Sequence, residues 1–457
     1  MLDKEEYIAP WEKAFKRVLT PIEEFIHRQT TSGILLMLCA VIAIIIANSS
    51  WFETYHHVLE TKLSLSLGEW VLSMSIHHWI NDGLMALFFF LVGLELKREL
   101  LVGELSNFKA ALLPIIAAIG GMVVPALIYF SLNQSGPAAD GWGIPMATDI
   151  AFALGVLALL GNRVPKALLG FLVALAIVDD LGAVLVIAIF YTEQLDFTAL
   201  MGAIALLVIL AGINLGGIRK PLPYMVLGVV LWLFLLKSGV HATLAGIFLA
   251  FIIPIRPKYD PKRFLQGATE LLKNIESIYK SEPNIIKNYK MRANIRSLEN
   301  GIRNVQAPAQ ILEHHMHLPI AYLVIPIFAL ANAGVPIDIK ELGNTLFHPV
   351  SMGVIGGLVL GKLIGIAGFV WIAVKLGIST LPTSMNMKHI IGVSLLGGIG
   401  FTMSIFIAEL GFAQSPEDLL MAKTGILMAS LIAGITGYLW LYFNGASNRA
   451  ENDNIST

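Results

Sequence analysis

Two acids stand side by side in an otherwise apolar stretch, Leu175-Ala176-Ile177-Val178-Asp179-Asp180-Leu181-Gly182-Ala183. A carboxylate at the depth of a bilayer is costly, so such a group faces a cavity, pairs with an opposite charge or marks an ion path. Other ionisable residues sit inside apolar runs: Asp82, Glu95, Asp149 and Lys362, with Lys237, His241 and Glu409 closer to the run ends. Consecutive helical residues project about 100° apart, so Asp179 and Asp180 cannot aim at one point. One is suited to hold a hard cation, which prefers oxygen ligands. Its neighbour is suited to reach a cation on another helix, and Lys362 is the candidate at comparable depth.

Two apolar runs carry residues that break helices. Gly143-Ile144-Pro145-Met146-Ala147-Thr148-Asp149-Ile150 sets Gly, Pro and a Thr-Asp pair in one; Gly397-Gly398-Ile399-Gly400-Phe401-Thr402-Met403-Ser404 sets glycines and hydroxyls in another. A break exposes half-helix ends, positive at the N-terminal side and negative at the C-terminal side. Asp149 and Lys362 have the signs to neutralise them.

These groups need a frame, and composition names its solvent. Hydrophobic residues make up 56% of the 457 and charged residues 14%, with mean hydropathy +0.74; soluble domains carry about 25% charged residues. The frame is therefore an all-α integral membrane protein. Net charge of -1 gives no field for nucleic acid. The single cysteine, Cys39, excludes an intrachain disulfide. Windows of about 20 residues place about twelve spans, near 31–48, 76–96, 110–132, 142–160, 167–191, 197–216, 222–236, 239–255, 318–333, 351–374, 390–408 and 419–443. The two broken runs are spans four and eleven.

Positive charge alternates between connections, as real spans require. One side collects Lys13, Lys16, Arg17, Arg28, Lys97, Arg98, Lys109, Arg163, Lys166, Arg219, Lys220, Arg256, Lys258, Lys262, Arg263, Lys375, Lys388 and Arg449; the other holds Lys62, Lys340 and Lys423. Both termini are expected in the cytoplasm. The N-terminus lacks the basic-then-apolar order of a signal peptide. The chain then divides into a cytoplasmic segment (1–30), spans one to eight (31–255), a long basic cytoplasmic loop (256–315), spans nine to twelve (316–443) and a tail (444–457). In the outer loop 50–75, Lys62-Leu63-Ser64-Leu65-Ser66-Leu67-Gly68 alternates as a strand or hairpin does, a candidate homodimer contact. In the loop 258–313, helical stretches are expected at 267–279 and 289–305, in a segment attracted to anionic membrane lipid.

Several motifs in order resemble the NhaA-type bacterial sodium/proton antiporters. They are Trp79-Ile80-Asn81-Asp82-Gly83-Leu84-Met85, Val92-Gly93-Leu94-Glu95-Leu96-Lys97-Arg98-Glu99, Ala147-Thr148-Asp149-Ile150-Ala151-Phe152-Ala153-Leu154-Gly155, Asp179-Asp180-Leu181-Gly182, Lys237-Ser238-Gly239-Val240-His241-Ala242-Thr243-Leu244-Ala245-Gly246 and Gly398-Ile399-Gly400-Phe401-Thr402-Met403-Ser404. The resemblance implies inverted repeats with two discontinuous crossing helices, and pH-regulated, electrogenic exchange of Na+ or Li+ for H+ in the bacterial inner membrane, without a cofactor. It further implies Asp180 as principal sodium and proton site, Asp179 as its neighbour, Lys362 as buried partner, and Thr148 and Asp149 at the crossing. Glu95, Arg98, Glu99, Glu313 and His314 match a charged cytoplasmic funnel tied to pH activation, and His241 a histidine of the pH response. Two departures stand out: the long 258–309 segment before Glu313, and Leu363 where the pattern after Gly-Lys leads to proline.

An intramembrane aspartyl protease is disfavoured, because its two acids must share a proton across a gap between helices, which adjacent residues cannot do. A channel has no use for a buried Asp-Lys cluster in place of a ring of ligands. Another cation- or solute-coupled transporter is the nearer alternative. The reading is a transporter, not an enzyme.

Overall fold

The structure, a computed structural model, describes residues 29–68, 70–192, 195–281, 288–338 and 340–445. The basic residues expected at the two ends, Lys13, Lys16, Arg17, Arg28 and Arg449, lie outside the described residues, as do most of the 1–30 and 444–457 segments.

The described chain is mostly helical, the form in which a chain in lipid satisfies its own backbone N–H and C=O groups. Eight helices are long and apolar enough to cross a membrane: Ile76–Leu101, Phe108–Leu132, Lys166–Phe190, Phe197–Leu215, Pro221–Ser238, Pro308–Asn332, Pro349–Lys375 and Pro416–Asn444. Three bent pairs raise the number to eleven: Thr31–Ala47 with Phe52–Glu60 (112°), Pro137–Met146 with Ile150–Leu159 (41°), and Met387–Leu396 with Phe401–Gly411 (48°). In chain order we number the helices α1 (Gln29–Ala47), α2 (Phe52–Glu60), α3 (Ile76–Leu101), α4 (Phe108–Leu132), α5 (Ile150–Leu159), α6 (Lys166–Phe190), α7 (Phe197–Leu215), α8 (Pro221–Ser238) and α9 (Leu244–Ile252). They continue with α10 (Pro261–Ser281), α11 (Tyr289–Val305), α12 (Pro308–Asn332), α13 (Leu342–Phe347), α14 (Pro349–Lys375), α15 (Met387–Leu396), α16 (Phe401–Gly411) and α17 (Pro416–Asn444). A 3-10 segment, Pro137–Met146, precedes α5.

The described chain gives eight to eleven candidate spans where about twelve were expected, and the difference is plainest at the eighth. The apolar run 239–255 folds as a turn followed by the 9-residue α9, which at about 1.5 Å per residue reaches less than half of a hydrocarbon core about 30 Å thick. Glycine explains the shortfall: Gly239 takes a left-handed φ of 79° and ends α8, and regular helix resumes only at Leu244.

The expected outer hairpin is present, with β1 (Lys62–Leu67) antiparallel to β2 (Trp70–Ser75) and Lys62 opposite Ser75. Gly68, at φ 63°, supplies the turn. The two helical stretches expected in the cytoplasmic loop are α10 and α11, which pack on each other, with Phe264 over Gly301.

By contacts the chain forms two compact units. One comprises the described parts of 1–85, 99–192 and 318–457; the other comprises 86–98 and 193–317. In the first, α1 meets α5 where Gly33 and Gly155 let the backbones touch, the small-residue packing of membrane helices. Helix α4 meets α14 through Gly120, Gly121 and Gly365, and Gly121 leaves room for Ile366. Helix α14 is widened on both sides of Lys362 by π-type turns at Gly356–Gly361 and Leu363–Ala367. Such turns recur at functional sites. Leu363 supplies an N–H there that a proline would lack.

Candidate functional site

The first unit joins the two breaks anticipated in the sequence. The backbone leaves helical geometry at Ala147 and Asp149 (ψ 147° and 100°), and Asp149 N–H donates to Ile399 O at 2.7 Å. Ser404 Oγ donates to Ile144 O at 2.8 Å. Asp149 is fully buried and serves two helix starts at once: Oδ1 accepts from Phe152 N in the first turn of α5, and Oδ2 accepts from Thr402 N (3.0 Å) and Thr402 Oγ1 (2.5 Å) at the start of α16. Each helix start carries roughly +0.5 charge, so two of them balance one carboxylate.

Lys362, also fully buried, meets the opposite pole. Its Nζ donates to Met146 O, the last carbonyl of the 3-10 segment, and to Asp179 Oδ2 at 2.5 Å. Thr148 Oγ1 lies 2.8 Å from both Asp179 Oδ2 and Gly397 O. A hydroxyl has one hydrogen, so Thr148 bonds to the acid or to the second break, one at a time. Asp179 Oδ1 accepts no hydrogen bond from the described residues. Asp180, the next residue of α6, is equally buried. With all three groups ionised, Asp179, Asp180 and Lys362 sum to -1. One proton or one monovalent cation brings the trio to neutrality, in surroundings where unbalanced charge is costly.

A family profile described as Na+/H+ antiporter 1 matches residues 23–441. The chain belongs to that family. It is similar over nearly its whole length to curated relatives: 53% identical over 432 residues to the Na(+)/H(+) antiporter NhaA 1 of Saccharophagus degradans, covering 94% of this chain and 93% of that one. It is 52% identical over 435 residues to the Na(+)/H(+) antiporter NhaA of Sulfurimonas denitrificans, covering 95% and 98%, and 50% identical over 453 residues to that of Syntrophobacter fumaroxidans, covering 98% and 94%. Together with its long apolar helices, this makes the chain a multi-pass membrane protein of a transporter family.

The residues matched to a pH-sensing funnel belong largely to the second unit of this antiporter-family chain. Arg98 forms an ion pair with Glu313, and Glu95 Oε1 lies 3.9 Å from His317 Nδ1. His314 is exposed and packs edge-on against His315; His317, which the sequence reading passed over, is the histidine near Glu95. The spacing of Glu313 and His317, one helical turn, was the available signal. His241 occupies the turn between α8 and α9, its carbonyl accepting from Leu244 N. Glu99 belongs to the first unit and lies over Gly103. Asp82 is half-buried in a π-type turn, Trp79–Leu84, of α3.

One residue is reassigned. Lys97, read from sequence as a loop charge, is buried, and its Nζ donates to Phe251 O (2.7 Å) and to Ile253 O. A helix end leaves carbonyls unsatisfied and partly negative, and a lysine on a long stem can reach them from a neighbouring helix.

Proposed function

We propose that this chain exchanges Na+ or Li+ for H+ across the bacterial inner membrane, driving the cation outward with inward proton flow. The observation that carries the reading is the buried trio Asp179, Asp180 and Lys362, one charge short of neutrality, set where two broken helices join. The names of the relatives, sodium/proton antiporters, favour the same cargo.

Asp180 is the principal site for cation and proton, and Asp179 its neighbour, with Lys362 balancing charge. Thr148 and Asp149 hold the junction. Proton and sodium compete, because either one neutralises the trio. A trio left bare and sealed from water is costly, so the site reorients loaded, which yields exchange without leak. Thr148 supports this cycle by switching its hydrogen between Asp179 and Gly397 O as the junction moves. Glu95, Arg98, Glu99, Glu313, His314 and His241 tune the response to pH, and Asp82 is a further acid of the span. We read the architecture as the twelve-element inverted repeat of the family, with α9 as its short member and the two broken helices crossing, and with both termini in the cytoplasm. A second copy docks on the outer hairpin, whose Leu63 and Leu65 are 52% and 55% exposed; a two-stranded hairpin is marginal alone. Cysteine cross-links between copies at residue 65 test that contact, and their absence contradicts it.

The function itself is tested in everted membrane vesicles. Addition of Na+ or Li+, but not K+, is expected to release a pre-formed proton gradient. Release by K+ alone, or by a solute with none of these ions, overturns the reading.

A further inference from the structure

A second ionisable cluster lies in the first unit, at the helix ends where α3 and α17 begin and α12 and α16 finish. Lys423 Nζ, from the start of α17, is 2.5 Å from Glu409 Oε1 at the end of α16. His77 Nε2, from the first turn of α3, is 3.7 Å from the same oxygen and 3.0 Å from Asn332 Oδ1. Asn332 Nδ2 in turn donates to Asn81 Oδ1 at 2.9 Å, and both amides are buried. The side chains of Glu409 and Lys423 are only 12% and 14% exposed, and that of His77 27%.

The position of this cluster separates it from the lysine-rich connections. On the orientation proposed above, these helix ends face outward. The cluster therefore sits where an external proton enters and an exported cation leaves.

Its charge arithmetic differs from that of a static lock. Glu409 and Lys423 cancel by themselves, and a clamp between α16 and α17 needs nothing more. A free imidazole has a reference pKa of about 6.5, which makes histidine the side chain whose charge is most readily changed near neutral pH. The other titratable neighbours are few. His78 follows it on α3, and α2 brings Tyr55, whose hydroxyl is tied to Leu330 O at 2.6 Å. With His77 neutral the trio sums to zero; with His77 protonated it sums to +1, and two cations face one carboxylate.

We propose that His77, held by Asn332 and set against Glu409 and Lys423, is the port at which external protons are taken up. Uptake forms an N–H bond on the ring, and onward transfer returns the ring to neutrality. Asn332 and Asn81 orient the ring and carry no proton themselves; Asp82, next after Asn81, is the following carboxylate along α3. While the proton is held, the +1 trio repels a sodium ion returning from outside. This adds a valve to the exchange and rests on the exchange activity proposed above.

The test uses the full chain in oriented vesicles, with pH varied on one face and clamped on the other. In His77→Gln, which keeps an amide hydrogen for Asn332, the dependence on external pH should move by about one unit, a tenfold change in the protons required. Dependence on internal pH and on cytoplasmic sodium should stay as in wild type. Glu409→Gln should flatten the external profile, and Glu409→Asp should restore it in part. External profiles of His77→Gln and His77→Asn that superimpose on wild type overturn the port, as does an equal shift on both faces. If the wild-type chain exchanges nothing, the activity itself is what fails.

Discussion

Two lysine–carboxylate pairs in the first unit, Lys362 with Asp179 and Lys423 with Glu409, share a separation of 2.5 Å and little else. The first is sealed: its side chains are 0% and 1% exposed, a second acid follows on the same helix, and half-helix ends surround it. The second is slightly more exposed, its side chains 14% and 12%, and lies at the far end of α16 from the break, with a histidine as third member. The difference teaches that burying an ion pair does not make a transport site. On the function proposed above, the unbalanced acid at a break in the backbone is what a cargo ion completes, and the break is what lets the elements move. A balanced pair beside an imidazole gains charge only by taking a proton.

That contrast can be broken by mutation. Lys362→Gln leaves a sealed carboxylate uncompensated, a change that costs about 3–5 kcal/mol. Exchange should vanish and the melting temperature in detergent should fall. Lys423→Gln opens a pair that is slightly more exposed than the first, so the melting temperature should fall less than in Lys362→Gln, and exchange should persist with an altered external pH profile. Equal loss in the two variants would remove the distinction. Thr148→Val keeps the shape and removes one hydrogen bond, an effect of about 1–3 kcal/mol. It should weaken apparent sodium affinity by roughly 5- to 150-fold while the protein still melts as a folded chain; unaltered affinity would detach Thr148 from the cycle. The smallest effect belongs to the paired helices α10 and α11. Deleting 261–305 should shift the internal pH profile while leaving maximal exchange intact, and an unchanged profile reduces α10 and α11 to a loop.

Much of this site is legible in the sequence because the membrane makes polar residues conspicuous. Asp179 and Asp180 stand out by cost alone, and Pro145, Gly397, Gly398 and Gly400 announce the two breaks that Asp149 joins and the first of which Lys362 meets. Composition is silent where the physics lies in geometry. The apolar pattern of 239–255 reads the same whether the backbone coils or turns, so the short α9 was not visible. Nor were the π-type turns around Lys362, since a wider coil keeps the same hydropathy. Lys97 and Lys423 look like loop charges until folding brings Ile253 O and Glu409 to them. The Arg98–Glu313 pair joins residues far apart in the chain, and charge type alone does not match partners across that separation.

The central claim is that Asp180 carries the cargo while Asp179 and Lys362 keep the balance. The direct measurement is sodium-driven proton movement by purified Asp180→Asn in proteoliposomes, across pH, alongside a melting curve that reports its fold. A folded protein with no exchange at any pH is the expected result. Exchange at the wild-type rate by that folded variant would contradict the account.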